Sequence, residues 1–278
     1  MKIFYSIKKF IDSEIKIDSF IPTMGNLHNG HLSLIEESKK SFERSCVSIY
    51  VNESQFTEKK DFESYPKTIE SDIEKLKKIN VNYLLIPNKS DIENFSKPFD
   101  INLEPKKITT TICGKYRPGH FLAVIDIVHR FLQIVKPKNI ILGEKDYQQI
   151  IVIKELMSIC NYNINVITYP TVRNKNGLAL SSRNNLLVEK QQEYACDIYH
   201  ALLSAKKMCE NDMLLEEIID NVSKLFINSH VKLEYFTIRD LKTLQHSNDS
   251  DLIALIAGHL GGVRLIDNMI IKSPHTNK

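Results

Sequence analysis

Paired cysteines are lacking in this 278-residue sequence, and the cysteines that are present are spread out along the chain. None of them belongs to a C-x-x-C pattern, and their number is odd. Both features argue against a disulfide framework and against a cysteine-ligated zinc site. Unpaired cysteines suit a reducing compartment, so we expect a cytoplasmic protein. The five are Cys46, Cys113, Cys160, Cys196 and Cys209.

Long apolar runs are missing as well. The first ten residues, M-K-I-F-Y-S-I-K-K-F, lack the uninterrupted apolar core of a secretory signal. No apolar run approaches the length that spans a bilayer. The net charge is only +3, and basic residues are not interleaved with aromatic ones. We therefore expect neither a membrane nor a nucleic-acid partner.

Three common catalytic motifs are absent. Gly25 and Gly30 have the glycine spacing of a Walker A loop, but His31-Leu32 stands where Lys-Ser/Thr is required. The chain contains no G-x-G-x-x-G pattern. It also lacks H-E-x-x-H or any third close ligand for a histidine-bound metal, which argues against a metal-dependent hydrolase.

The segment Ile21–His31 carries the strongest signal. It reads I-P-T-M-G-N-L-H-N-G-H, and apolar residues recur at helical spacing after it. This pattern predicts a strand, a tight loop and the start of a helix, where main-chain N–H groups attract phosphate. Without further context, two solvated histidines in a loop remain an equal alternative. The H-x-G-H pattern resembles the signature of the nucleotidyltransferase superfamily, whose members transfer an adenylyl group from ATP.

Apolar β-type runs alternate with helical patterns from residue 19 to about 170, which predicts a Rossmann-like, doubly wound parallel α/β sheet. The lead-in, residues 1–17, reads as a short helix or an irregular segment, and residues 88–112 cannot be placed. Beyond Leu186, two helices, at about 189–210 and 214–228, and three strands indicate a smaller α+β domain. We place the domains at 1–171 and 172–278, with a nucleotide between them. The five predicted strands lie near 19–21, 46–52, 82–87, 139–142 and 164–169. A helix is predicted to start at Tyr65-Pro66, between the second and third of these strands.

Polar side chains follow several of these strands, where α/β sheets bind ligands. Asn52 and Gln55 come after the second strand, and their alternative role is to cap a turn. Arg117, in G-K-Y-R-P-G-H, is a cation beside a turn.

Charged residues also follow the fourth and fifth strands. Lys145, Asp146 and Gln149 lie at a strand end and a helix start, where a lysine can pair with phosphates. The group Ser181-Ser182-Arg183 suits an oligophosphate, because hydroxyls donate and Arg forms a charged fork. The alternatives are a solvated cluster and an ordinary helix N-cap.

Five segments in order make the resemblance specific. Together with the C-terminal G-H-L-G-G-V-R-L-I-D-N, they cover nearly the whole chain and are similar to the pantoate–β-alanine ligase (pantothenate synthetase) family. The segments are P-T-M-G-N-L-H-N-G-H, V-N-x-x-Q-F, R-P-G-H-F, G-E-K-D-Y-Q-Q and P-T-V-R…G-L-A-L-S-S-R-N.

This resemblance implies that (R)-pantoate and β-alanine are joined with ATP, releasing AMP and diphosphate through a pantoyl adenylate. It implies Mg²⁺ with the phosphates, whose protein ligands the sequence does not identify, and a homodimer. A water-sensitive adenylate needs cover, which closure of a C-terminal lid domain or of the 57–65 loop would provide. The alternative is another adenylyltransferase of this fold acting on a different acceptor. A non-catalytic RNA-binding module is a weaker one.

The resemblance also assigns roles to residues. His31, with His28, Lys145 and Arg183, would carry catalysis, and His31 is the usual proton-donor candidate. Pantoate and β-alanine would contact Gln55, Gln149, Asn52 and Arg117. Asp146 would bind the ribose hydroxyls. ATP would contact Met24, Gly25, Asn26, Leu27, His28, Asn29, Gly30, His31, Gly143, Glu144, Lys145, Asp146, Val172, Leu180, Ser181, Ser182 and Arg183.

Four positions depart from the family pattern. Glu53 stands in place of a proline and puts a carboxylate near the substrate end, which bears on binding of anionic pantoate. Cys113 replaces an acidic residue near the expected amine path. Ala123 stands for a glycine and Val263 for a threonine. None of the four removes a proposed phosphate contact.

Overall fold

The computed structural model describes residues 1–247 and 251–272 and contains two compact units. The first consists of residues 1–144 and 152–170, and the second of residues 145–151 and the chain from Thr171 onward. The sequence-based boundary at residue 171/172 stays a prediction, and residues 248–250 and 273–278 of the predicted second domain lie outside the described residues. Across the described part of the chain, no helix combines the length and apolarity needed to cross a bilayer.

The first unit is built on a six-stranded parallel sheet in the order β1-β4-β3-β2-β5-β6. All five residues of the third strand are buried, as expected for a parallel strand covered on both faces. This sheet confirms the predicted doubly wound α/β class. The strands are β1 (Lys2–Phe4), β2 (Ser19–Thr23), β3 (Ser45–Ile49), β4 (Tyr83–Leu85), β5 (Asn139–Gly143) and β6 (Asn165–Tyr169).

Helices flank this sheet. The longest, α8 (His120–Val135), is apolar on most of its surface and buries ten residues, so it is a core helix. The others before it are α1 (Ile7–Ile11), α2 (Asn29–Ser41), α3 (Lys59–Glu63), α4 (Ile69–Lys78), α5 (Lys89–Phe95), α6 (Lys106–Thr109) and α7 (Cys113–Tyr116). Helix α9 (Tyr147–Ile159) contributes residues to both units.

Three local predictions need correction. The lead-in contains the edge strand β1 as well as α1, a strand too short for its exposed–intermediate–buried pattern to be read from sequence. The strand predicted at 46–52 ends at Ile49, and Tyr50 to Asn52 lead into a 3-10 turn at Glu53–Gln55. The helix predicted from Pro66 begins at Ile69, and residues 88–112, which could not be placed, contain α5, α6 and a 3-10 turn at Ile101–Leu103.

The second unit holds a three-stranded antiparallel sheet in the order β7-β8-β9. One continuous core joins the sheet to its helices through residues such as Leu202, Val222 and Ile256, which are fully buried. The predicted α+β character is confirmed, although the helix predicted over 189–210 is two helices meeting at Cys196. The elements are α10 (Glu189–Ala195), α11 (Asp197–Glu210), α12 (Leu215–Leu225), β7 (Lys232–Asp240), β8 (Leu252–Leu260) and β9 (Val263–Lys272).

Candidate active site

The carboxyl ends of three neighbouring strands gather the candidate residues of the first unit. β2 lies between β3 and β5, and all three are parallel, so the loops that follow them leave the same edge of the sheet. The order reverses between β2 and β5, which is where open α/β sheets bind ligands. The candidate residues at this edge are residues 24–28, the turn 50–55, and Gly143 and Glu144 at the end of β5.

The loop after β2 has a conformation that requires glycine. Gly25 has a φ of +76° and Asn26 a φ of +48°, both in the left-handed region. A Cβ at Gly25 would lie 3.1 Å from Oδ2 of Asp72 and 3.1 Å from Cγ2 of Ile49. Any larger residue would therefore be strained by the backbone and crowded by both neighbours.

A buried carboxylate holds this loop. Asp72, 0% exposed, accepts hydrogen bonds from the main-chain N–H groups of Asn26 and Leu27, each at 2.8 Å. The Thr68 hydroxyl donates to the same carboxylate at 3.1 Å. Lys75 Nζ donates to the Leu27 carbonyl at 2.7 Å and lies 3.8 Å from Asp72 Oδ1. The main chain immediately before the H-x-G-H motif is thereby fixed on both its N–H and carbonyl sides.

Asp72 belongs to none of the sequence motifs, although the sequence carries a signal for it. It lies on α4 four residues before Leu76, which is fully buried, so it belongs to the apolar stripe of that helix. A carboxylate on a buried helical stripe needs hydrogen-bonding partners, because an unpaired buried charge is costly. That pattern marks Asp72 as a residue with a specific polar neighbour.

The two histidines of H-x-G-H cap α2 and hold a defined tautomer. His28 is the N-cap, and its Nδ1 accepts from the N–H of Gly30 at 3.1 Å. His31 Nδ1 accepts from the N–H of His28 at 3.4 Å, and the ring centroids are 4.0 Å apart. An imidazole nitrogen that accepts carries no proton, so a neutral ring places its proton on Nε2. Both rings therefore present an N–H donor beside a helix N-terminus, the geometry that favours phosphate.

The proposed substrate end lies at the turn after β3. The Asn52 side chain is buried and donates to the carbonyl of Ala123 in α8 at 3.3 Å. The carbonyl of Gln55 accepts from Arg117 Nη2 at 3.1 Å and from His120 Nδ1 at 2.8 Å. The structure thus brings Asn52, Gln55 and Arg117 together and adds His120, which sequence analysis did not select.

Three of the departures from the family pattern have clear environments. Glu53 is exposed in the 3-10 turn, next to the candidate substrate residues in sequence. Cys113 is buried at the start of α7, and Ala123 supplies the carbonyl that Asn52 contacts. Glu144, a candidate for ATP contact at the end of β5, accepts a hydrogen bond from the Thr168 hydroxyl at 3.0 Å. This bond turns its carboxylate toward β6.

The candidate residues of the second unit share a cavity. A concavity is lined by Lys145, Ser181 and Arg183, together with Arg264 and Asp267 of β9 and Tyr199 of α11. Three cations and a hydroxyl face this opening, and the Asp267 carboxylate is already paired with Arg173. Such a group suits an anion with several oxygens. The structure therefore gathers three of the residues that sequence analysis assigned to phosphate.

Local hydrogen bonds position these groups. Ser181 caps the 3-10 turn Ser182–Leu186, and its hydroxyl accepts from the Arg183 N–H at 3.2 Å, so the capping alternative describes part of its role. The Lys145 carbonyl accepts from Asn268 Nδ2 at 2.9 Å, and Lys145 Nζ lies 3.8 Å from the exposed Asp146. Gln149 is half-buried in the first turn of α9.

Arg264 is a third functional candidate that the sequence motifs did not indicate. Its Nη2 lies 2.6 Å from Glu234 Oε1, and its Nε lies 3.2 Å from both oxygens of that carboxylate. His259 Nε2 lies 2.9 Å from Glu234 Oε2. Burial alone would raise the pKa of Glu234, but Arg264 and His259 outweigh it and the pKa lies below its ordinary value. These three residues lie on three different strands and contact each other only in the folded sheet. No local sequence motif therefore indicates their contacts.

The hairpin before the S-S-R group is anchored by a buried ion pair. The Leu180 N–H donates to the Val172 carbonyl at 2.9 Å, which pairs the two remaining candidates for ATP contact. Beside them, Arg173 Nη2 donates to Asp267 Oδ1 at 2.9 Å and its Nη1 to Oδ2 at 2.5 Å. Asp267 belongs to β9, so the pair joins the hairpin to the edge of the sheet.

Comparison with known proteins identifies the family to which this chain belongs. A model of the family described as pantoate-beta-alanine ligase matches residues 4–270. The chain belongs to the pantoate-beta-alanine ligase family. The pantothenate synthetase of Marinomonas sp. strain MWYL1 is 36% identical over 98% of this chain and 100% of that protein. The pantothenate synthetase of Thermosipho africanus strain TCF52B is 37% identical over 92% of each.

Solved structures of ligases agree in fold. Pantothenate synthetase from Thermus thermophilus matches with a TM-score of 0.91 at 29% identity, covering 99% of this chain and 100% of that one. The pantoate-beta-alanine ligase from Francisella tularensis, complexed with beta-gamma ATP and beta-alanine, matches with a TM-score of 0.79 at 36% identity, covering 97% of each. The family shown by the sequence comparison is therefore also the family of these two solved structures.

The donor set of this ligase also bears on a metal. In the described residues, no group of three or more His, Cys, Asp or Glu side chains is placed to hold a metal ion. Mg²⁺ at nucleotide sites is held largely by phosphate oxygens and water, with one or two protein carboxylates. This mode does not require a preformed group of three protein ligands.

Proposed function

We propose that this protein joins (R)-pantoate to β-alanine through an amide bond while ATP is converted to AMP and diphosphate. The observation that carries this proposal is the match to the pantoate-beta-alanine ligase family over residues 4–270. The Francisella tularensis relative was solved with beta-gamma ATP and beta-alanine, two ligands of the kind this reaction needs. ATP is accordingly a substrate of this protein.

In the first step, a pantoate carboxylate oxygen attacks the α-phosphorus of ATP, and diphosphate leaves with the electrons of the broken P–O bond. Negative charge builds on the phosphate oxygens, and fixed donors must stabilise it. The Nε2–H groups of His28 and His31 are such donors, since hydrogen bonds to the main chain hold both rings. The buried Asp72 supports them by fixing the preceding loop.

The cavity of the second unit supplies further donors for the phosphates. Lys145, Ser181 and Arg183 take the role expected from the sequence, and Arg264 joins them as a cation held by Glu234. Val172, Leu180 and Ser182 take nucleotide contacts through the same segment. Because the guanidinium of Arg264 is oriented by two strands, it costs little reorganisation when charge develops.

In the second step, the β-alanine amine attacks the acyl carbon of pantoyl adenylate, the C–O bond to the phosphate breaks, and AMP leaves. The amine loses one proton as the amide forms, and the phosphate oxygen of the departing AMP accepts it. His31, the proton-donor candidate, carries its proton on Nε2 in the tautomer set by its cap contact. Gln55, Gln149, Asn52 and Arg117 take the pantoate and β-alanine contacts, with Asp146 on the ribose.

Mg²⁺ belongs to this proposal as the ion that accompanies ATP and neutralises phosphate charge when bound. A homodimer and a cytoplasmic location belong to it as well, since the family resemblance and the unpaired cysteines favour them. Lid closure over the adenylate remains a proposal on the same grounds.

The test follows AMP and diphosphate release by purified protein given Mg-ATP and (R)-pantoate, with and without β-alanine. We expect sustained AMP release only with β-alanine, together with pantothenate detected by mass spectrometry. One equivalent of diphosphate without β-alanine would support the adenylate. ATP binding without turnover on these substrates would contradict the ligase assignment and favour another acceptor on the same fold.

A further inference from the structure

The main-chain carbonyl of Gln55 is held by two side chains that also contact each other. Arg117 Nη2 donates to it at 3.1 Å, and His120 Nδ1 lies 2.8 Å away. The third side of the triangle is the 2.9 Å contact between Arg117 Nη1 and His120 Nε2. His120 is only 9% exposed, so its imidazole is largely shielded from bulk water.

The chemistry of the partners fixes the proton on His120. A carbonyl oxygen can only accept, so Nδ1 must carry the proton that it receives. A guanidinium can only donate, so Nε2 must offer its lone pair to Arg117. The neutral Nδ1–H tautomer is the form that satisfies both contacts. It is the opposite of the tautomer that His28 and His31 hold.

The same turn is also fixed at its other end. Asn52 Nδ2 donates to the carbonyl of Ala123, in the first turn of α8, at 3.3 Å. His120 opens that helix, so both ends of the 52–55 segment are tied to one rigid element. Such a double anchor sets the main-chain orientation from which the Gln55 side chain projects.

We propose that His120 is a positioning residue for the acid substrate: it holds the Gln55 main chain so that the Gln55 amide is presented to pantoate. This inference rests on the proposed function. A long amide side chain can point in several directions, and small errors in its base are amplified at its tip. Misplacement of a binding group by about 1 Å can cost about 10²-fold in rate.

Three variants separate the two contacts of His120. H120N keeps a donor near the Nδ1 position, H120Q keeps an acceptor near the Nε2 position, and H120F keeps only the ring volume. We expect H120Q and H120F to raise the KM for pantoate by about tenfold, which corresponds to loss of one hydrogen bond of about 1.4 kcal/mol. H120N should stay within about threefold of the parent, and the KM for ATP should change by less than about twofold in all three.

His129 provides a matched control on the same helix. Its Nδ1 lies 2.9 Å from the Tyr162 hydroxyl, away from the candidate site residues in contact and in sequence. H129Q should lower the thermal midpoint without changing the KM for pantoate. A purely structural role for His120 would give the same result as this control. If H120F does not fold, the H120N and H120Q pair still decides the matter.

Two comparisons keep the inference and the proposed function apart. An inactive parent enzyme would overturn the proposed function, and this inference with it. An active parent whose pantoate KM is raised by Q55A but equal in H120N and H120Q would overturn the inference alone. An active parent whose KM for pantoate is unchanged by Q55A would also overturn the inference, since Gln55 would then not contact pantoate. A pantoate-specific rise in H120Q that H120N avoids would support it.

Discussion

The carboxylate of Asp72 accepts a 2.8 Å hydrogen bond from the main-chain N–H of Leu27, 45 residues away in sequence. This contact links a helix with no proposed ligand to the loop that precedes the two histidines. Asp72 is fully buried, and its other oxygen takes a second N–H from the same loop. The geometry of the candidate site therefore depends on a residue that contacts no proposed substrate.

Replacing Asp72 with Asn should damage both stability and catalysis. One oxygen becomes an NH₂ group that faces a main-chain N–H, and the charge opposite Lys75 is lost. We expect the free energy of unfolding to fall by about 3 kcal/mol, since hydrogen bonds to buried charges are the strong ones. Urea titration followed by circular dichroism measures this. The exposed pair of Asp12 with Lys8 offers the control, and D12N should change little. Equal stability of D72N and the parent would contradict the anchoring role.

His28 allows capping to be separated from chemistry. Asn is among the best N-cap residues, so H28N should keep the bond from Gly30 and the stability of α2. It has no Nε2–H, and one lost transition-state donor costs about 10²–10³ in rate. We expect pantoate-dependent exchange of labelled diphosphate into ATP to fall by that amount, with the thermal midpoint nearly unchanged. Activity retained in H28N would mean that the ring only caps the helix.

The fold was predictable because its signals are local. The short continuous apolar run ending at Ile49 indicates a strand, and the long apolar pattern of α8 indicates a helix, both without reference to distant residues. The edge strand β1 was missed because three residues with one neighbour do not produce a period. Phosphate candidates were predictable for a similar reason, since the H-x-G-H and S-S-R groups are contiguous.

The supporting residues were not predictable because their partners are remote in sequence. The hydrogen bonds of Asp72 with Leu27, of Glu234 with Arg264 and of His120 with Gln55 form only after the chain has folded. A single sequence records the residue types but not these pairings. Of these residues, Asp72 alone has a signal in the sequence, because it is a carboxylate on an apolar helical stripe. Site residues with motifs are thus accessible from sequence, whereas those that position them need the structure.

The buried pair of Arg173 and Asp267 should be strongly coupled. Burial raises the pKa of Asp267, and the Arg173 guanidinium opposes this by favouring the carboxylate. Removing the cation in R173M leaves a buried charge, which costs about 3–5 kcal/mol. The double variant R173M/D267L should be less destabilised than the sum of the singles, as a double-mutant cycle in urea would show. The exposed pair of Lys224 and Asp220 in α12 is the control, with coupling below about 1 kcal/mol. Additive effects at Arg173 and Asp267 would contradict the coupling.

His129 should make stability depend on pH between neutrality and mild acid. Burial lowers the pKa of His129 below its ordinary value of 6.5. Burial also raises the pKa of Tyr162 to about 12, so its hydroxyl stays protonated and donates to Nδ1. The unfolded chain therefore binds a proton at His129 before the folded one does, and stability falls as pH drops below 6.5 toward the folded pKa.

H129Q removes this titrating group and should make stability depend less on pH. The parent should lose stability by at most about 1.4 kcal/mol per pH unit from this residue as pH falls from about 7 to about 5. The difference in stability between the parent and H129Q should therefore become smaller at the acidic end. Thermal midpoints measured across that pH range test this. H200Q, which removes an exposed histidine from α11, is the matched control. A gap that widens on acidification would mean that the folded protein stabilises the charged imidazole, because only then does proton binding favour the native state.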